Sequence, residues 1–284
     1  MKTRTLIDNI KFAEGLRWHN NELWFCDLWS NKIYKIDQNN KLSCQIELDD
    51  QPVALGWLSD DSMLVASLYE RKLLQLKDGV FSCYADLSNT QPGYAHDFVI
   101  SSQDYVYIST SGFYPSYKAK PVTSNILLIT PEKEIRTAAS NIRYPNGIKL
   151  IDSEKRLLVS ETFAASVSEF QVSKDHSLIH QRNYYSFDNK GFDVEFDKNG
   201  VPFDLNRYYP DGICFDEKRE ILWVASPGRN EVVAINKKGI QEVIKIRLIP
   251  FDCSLSGVSN NRLYIGSSNG DKVNAKGMIE YVDL

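Results

Sequence analysis

The 284-residue chain has no run of roughly 18 apolar residues that could cross a bilayer as a helix. It has no cluster of basic residues, and its formal net charge of -4 argues against nucleic acid and anionic membrane as partners, since both favour a basic face. The opening MKTRTLIDNIKFAEG lacks the apolar centre of a secretion signal. The five cysteines (Cys26, Cys44, Cys83, Cys214 and Cys253) include no CxxC pair and are odd in number, which excludes a zinc knuckle and a disulfide framework and points to thiols in a reducing compartment, the cytoplasm by default. GxSxG and HExxH are absent, so neither a serine elbow nor a zinc-protease helix is on offer. Helix-period segments with caps are missing, and no Pro/Gly/Ser linker divides the chain. Residues 1–284 therefore read as a single all-β domain.

What is present is a repeat. Six segments, AEGLRW, PVALGW, AHDFVI, PNGIKL, PDGICF and PFDCSL, align so that one column holds Glu14, Val53, His96, Asn146, Asp211 and Phe251. Successive spacings are 39, 43, 50, 65 and 40 residues, close to the length of a four-stranded propeller blade. Apolar residues follow at the second and fourth positions after the column, the period of a strand. A second strand (LWFCD, MLVAS, VYIST, LLVSE, LWVAS, LYIGS) and a third follow in every unit, and a fourth in five of them. The sixth unit ends before its fourth strand, and the spare N-terminal segment TRTLIDNI has the character to supply it. The expected fold is a six-bladed β-propeller, four antiparallel strands per blade, closed by the N-terminal strand so that no sheet edge is left open.

In a propeller the first strand of each blade lines the central channel, so the aligned column should ring one mouth. Glu14, Asn146 and Asp211 would then converge from distant parts of the chain, with His96 beside them and Val53 and Phe251 as apolar wall. Two carboxylates and a carboxamide make an oxygen-rich set of the kind hard divalent cations favour, and a cation would relieve the repulsion between the acids. Such groups can equally hold ordered water. Only one histidine reaches the ring, which excludes a His-rich zinc site.

The segments FAEGLRW with ELWFCDLWSNKIYKID, QPVALGW, YPNGIKL with RLLVSETF, and YPDGICF with ILWVASP resemble the senescence marker protein / gluconolactonase / luciferin-regenerating enzyme family over almost the whole chain. The resemblance implies a lactone hydrolase with one divalent metal ion, calcium first, with zinc, magnesium and manganese as further candidates. It further implies Glu14, Asn146 and Asp211 as metal ligands and Asp211 as general base. Where many sugar lactonases of that family carry Arg-x-Asn-Asp, this chain has Tyr94-Ala95-His96-Asp97, and Phe113-Tyr114 stands where an acid is common. A lactone or small ester less polar than an aldonolactone is the expected substrate, bound by Tyr94, His96, Phe113 and Tyr114, with metal ligation and acid/base work left open as other roles for His96.

Asp27, Asp97 and Glu161 are expected behind the ligands, with Glu161 either within reach of the Asn146 carboxamide or, like Asp27, paired with turn amides or a neighbouring basic residue. Two long connections, residues 112–124 and 188–209, should rise around the same mouth as walls or lids carrying Phe113, Tyr114, Tyr117 and Phe203. The expected assembly is a monomer or weak homo-oligomer. A non-catalytic small-molecule binding protein and a phosphotriester hydrolase are the competing readings.

Overall fold

The computed structural model describes residues 1–202, 204–257 and 261–284; Phe203 lies outside the described residues. Its strands form six four-stranded antiparallel sheets arranged as a six-bladed propeller. The first strands are Ala13–His19, Pro52–Trp57, Ala95–Ile100, Pro145–Ile151, Ile213–Asp216 and Ile249–Leu255, in blades 1 to 6. They follow the six aligned segments because the alternating apolar residues, Leu16, Leu55, Phe98 and Ile148 among them, bury against the next strand and the neighbouring blade.

Ring closure falls where the sequence placed it. Arg4–Ile10 pairs antiparallel with Gly277–Asp283, the third strand of blade 6, and so becomes that blade's outer strand. A register break falls at the ring column in the first strands of blades 1, 2, 3, 4 and 6. Such bulges re-aim side chains locally, and here they coincide with the column residue.

The face opposite the mouth is tied blade to blade. The turn between first and second strands carries an acid that receives hydrogen bonds from the preceding blade. Asp104 accepts from Ser59 N (2.8 Å) and Oγ (2.6 Å), Glu154 from Ser102 N (2.7 Å) and Oγ (2.9 Å), and Glu217 from Asp152 N (3.0 Å). His19 meets Asp61 in the same way at 3.1 Å. All five cysteines are free thiols, Cys26, Cys214 and Cys253 buried and Cys44 and Cys83 on outer strands. Among the described residues no helix is long and apolar enough to cross a membrane.

Candidate functional site

The backbone at the ring column is held by hydrogen bonds with second-strand residues. Asp211 donates its N–H to Ala225 O (2.9 Å), and its carbonyl accepts from Ser160 Oγ (2.7 Å). Ser109 does the same for the Asn146 carbonyl at 2.8 Å. Both serines occupy the penultimate position of a second strand, and the sequence reading passed over them. Gly147 is required by close approach, because a Cβ there would overlap the carbonyl oxygen of Asp211. The blades bearing Asn146 and Asp211 are thereby pressed together at the mouth.

Glu14 and Asp211 face a common space and interact electrostatically. Glu14 Oε2 and Asp211 Oδ1 are both buried with no hydrogen-bond partner. Burial, then repulsion from Asp211, Asp252 and Asp97, raises the Glu14 pKa well above the usual carboxylate range. The Asp211 pKa is likewise raised, by burial and then by Asp252 and Asp97. Two buried acids with orphan oxygens are costly unless something positive joins them. A hard divalent cation fits this donor set, completed by the Asn146 amide oxygen. Among the described residues no three His, Cys, Asp or Glu side chains converge as a metal cluster, so the amide is a necessary part of any such site.

His96 is buried and hydrogen-bonded to the Asn146 side chain; burial, only partly offset by that bond, lowers its pKa to about 4. It is a neutral imidazole at physiological pH. Its ring lies 5.2 Å from Tyr144 and 6.0 Å from Tyr94, whose ring meets Tyr114 at 4.8 Å. Phe113, Tyr144, Phe163, Val194, Phe196 and Tyr209 form a separate apolar cluster beside the mouth. On the other side Phe251 packs on Phe12 at 4.3 Å. The walls above the acids are thus largely aromatic.

The long connections are packed walls. A Cβ at Gly200 would overlap the carbonyl oxygen of Pro115, so the two loops touch. Buried Arg207 clasps Asp188 at 2.7 Å and Gly191 O at 2.6 Å, closing the base of the 188–209 segment. Tyr114 and Tyr117 are exposed at the rim.

Three expected supporting groups behave differently from one another. Asp27 accepts from Lys11 N (3.1 Å) and Phe12 N (2.9 Å), holding the segment before the first strand. Glu161 does not reach the Asn146 carboxamide: Arg143 N and Nε (both 2.8 Å) and Ser168 Oγ occupy its oxygens. Asp97 does lie in the channel. It accepts from Phe98 N (2.8 Å) and Ile148 N (3.4 Å) and pairs with Arg17. Its counterpart, unnoticed in the sequence, is Asp252, which accepts from Cys253 N (2.7 Å) and Leu16 N (2.6 Å). The signal was available: the position after the ring column reads Gly15, Ala54, Asp97, Gly147, Gly212, Asp252, small except in blades 3 and 6. A groove of about 430 Å³ between blades 1 and 6 is lined by Trp18, Asn21, Asp37, Arg262 and Tyr264, and holds none of the ring residues.

Comparison with known proteins agrees with this architecture. Residues 12–269 match the family described as SMP-30/Gluconolactonase/LRE-like region. "Lactonase drp35" of Staphylococcus haemolyticus is 26% identical over 247 residues, 80% of this chain and 66% of that protein. The chain thus spans about two thirds of that relative's length. A luciferin-regenerating enzyme superposes with a TM-score of 0.78 at 19% identity, covering 98% of this chain and 93% of its own. A calcium-binding protein, regucalcin, from Agrobacterium tumefaciens does so with a TM-score of 0.78 at 15% identity, covering 99% and 93%. At such identities the solved structures speak to the fold alone.

Proposed function

The chain belongs to the SMP-30/gluconolactonase/LRE-like family, and from that premise we propose that it hydrolyses a lactone or small ester of low polarity at the propeller mouth. The observation that carries the reading is the pair of buried, unpartnered oxygens on Glu14 and Asp211. Glu14, Asn146 and Asp211 would hold a divalent cation, calcium in the first instance. When bound, the cation supplies electrophilic polarisation of a carbonyl and acidifies water.

The remaining work falls to side chains. Asp211 Oδ1, with no donor to stabilise its charge, is the group best placed to take a proton from attacking water. Its raised pKa brings its basicity closer to the working pH, which improves a general base as long as the group stays ionised. His96, held neutral, spends its one N–H on Asn146 and so fixes the amide's orientation, leaving its other ring nitrogen as an acceptor. Tyr94, Phe113, Tyr114 and Tyr144 give an aromatic wall whose ring faces carry no charged group to clamp sugar hydroxyls, which favours an apolar or aryl substrate.

The test is direct. Chelated protein is supplied with calcium, manganese or zinc and assayed on an aryl ester, a simple lactone, gluconolactone and an organophosphate. Metal-restored turnover, fastest on the less polar lactone or aryl ester, is expected. Turnover that survives Asp211→Ala rejects the assignment, and a faster organophosphate rate replaces the substrate class.

A further inference from the structure

Below the mouth the channel holds a second set of oxygens, and it is already filled. Arg17, three residues beyond Glu14 on the bulged first strand of blade 1, points into it. One guanidinium nitrogen pairs with Asp97 Oδ1 and donates to Phe98 O at 3.1 Å. The other donates to Leu16 O at 2.9 Å and stands 3.8 Å from Asp252 Oδ2. Two carboxylates and two backbone carbonyls, from blades 1, 3 and 6, therefore surround one positive charge. This is the ligand chemistry of an oxygen-coordinated hard cation, satisfied here by a group that stays charged at any working pH. The side chains are largely enclosed, Asp97 13% and Asp252 4% exposed, with Arg17 at 25%.

The arrangement also reaches the mouth. Asp97 holds the N–H of Ile148, two residues after Asn146, and Asp252 holds the N–H of Leu16, two residues after Glu14. Whatever fixes these two aspartates fixes the strands that present two of the three candidate ligands.

We propose that Arg17 is a positioning residue that takes the second of two cation positions in the channel, so that the protein binds one divalent ion, at the mouth, and needs none below it. The count of one rests on the mouth reading; the role of Arg17 does not. The charge pattern is consistent with this division. Glu14 and Asp211 are left to share an external dication, whereas Asp97 and Asp252 carry their counter-charge with them.

The experiment uses the full chain, stripped with chelator and dialysed against calcium chloride, with bound calcium counted by elemental analysis and thermal melting followed in parallel. Wild type is expected to bind one ion. Arg17→Ala is expected to bind two, and to melt lower than wild type in chelator with recovery on adding millimolar calcium. Arg17→Lys keeps the charge and should add no ion. A folded alanine variant that binds no more calcium than wild type overturns the proposal, as does an alanine variant that stays unfolded whether or not calcium is present. An alanine variant that folds only with calcium supports it. If wild type binds none and the alanine variant binds one, the mouth reading fails while the role of Arg17 stands.

Discussion

Two pairs of acids sit one residue apart in the same channel and have opposite surroundings. Glu14 and Asp211 at the mouth each keep a buried oxygen with no partner. Asp97 and Asp252, one step deeper, spend both oxygens on backbone N–H groups and share a guanidinium. Residue type does not separate them; partners do. An acid whose hydrogen bonds are complete belongs to the framework, and one left incomplete at a concave surface is available for chemistry.

The sharpest way to break this contrast is to neutralise one member of each pair. Asp211→Asn should lower kcat by about 10²- to 10⁴-fold, the usual contribution of a general base, while leaving the urea midpoint of the metal-free protein unchanged or raised, because a repelled buried acid is removed. Asp97→Ala should do the reverse in kind. It strands Arg17 without its main partner and should cost about 3–5 kcal/mol in equilibrium unfolding. Equal losses of stability in both variants would end the distinction.

A third experiment concerns pH. Burial and repulsion raise the folded-state pKa values of Glu14 and Asp211, and that of Asp252 to about 7, against about 4 for carboxyls in an unfolded chain. The folded state then holds more protons than the unfolded one between those values. Metal-free protein should lose stability as pH rises above about 4, with the Asp252 part complete once pH passes about 7. Calcium should flatten the part due to Glu14 and Asp211, and melting curves with and without it measure the difference. In the same profile no limb near pH 6.5 is expected from His96, whose pKa is depressed to about 4. The smallest effect belongs to the rim. Tyr114→Ala removes a ring that is 45% exposed and touches Tyr94, and should raise KM for an aryl substrate a few-fold, roughly 0.5–1.5 kcal/mol, with kcat unchanged.

The blades were legible because each is a short-range pattern: alternating apolar residues, a polar turn, then another apolar strand. The mouth column was legible because sixfold repetition turns register into position. Arg17 and Asp252 escaped notice since their roles depend on contacts across the axis, between blades 1, 3 and 6, which no spacing within a blade announces. Of the two partners expected for Glu161, the structure takes the basic neighbour, for a related reason. Glu161 sits on the right face of the right blade, yet Arg143, two residues before the first strand of that blade, claims its carboxylate. The aromatic cluster around Phe163 and Phe196 was equally hidden, because Phe113, Val194, Phe196 and Tyr209 reach Tyr144 and Phe163 from long connections whose lengths follow no repeat.

The acids on the far-face turns have a consequence for modularity. Asp61, Asp104, Glu154 and Glu217 each serve the blade before their own. A blade transplanted singly would carry away its neighbour's fastening and arrive with a latch cut for a different socket. Recombination among such rings should therefore succeed at seams that move adjoining blades together, and the heritable unit of this architecture is the junction between blades.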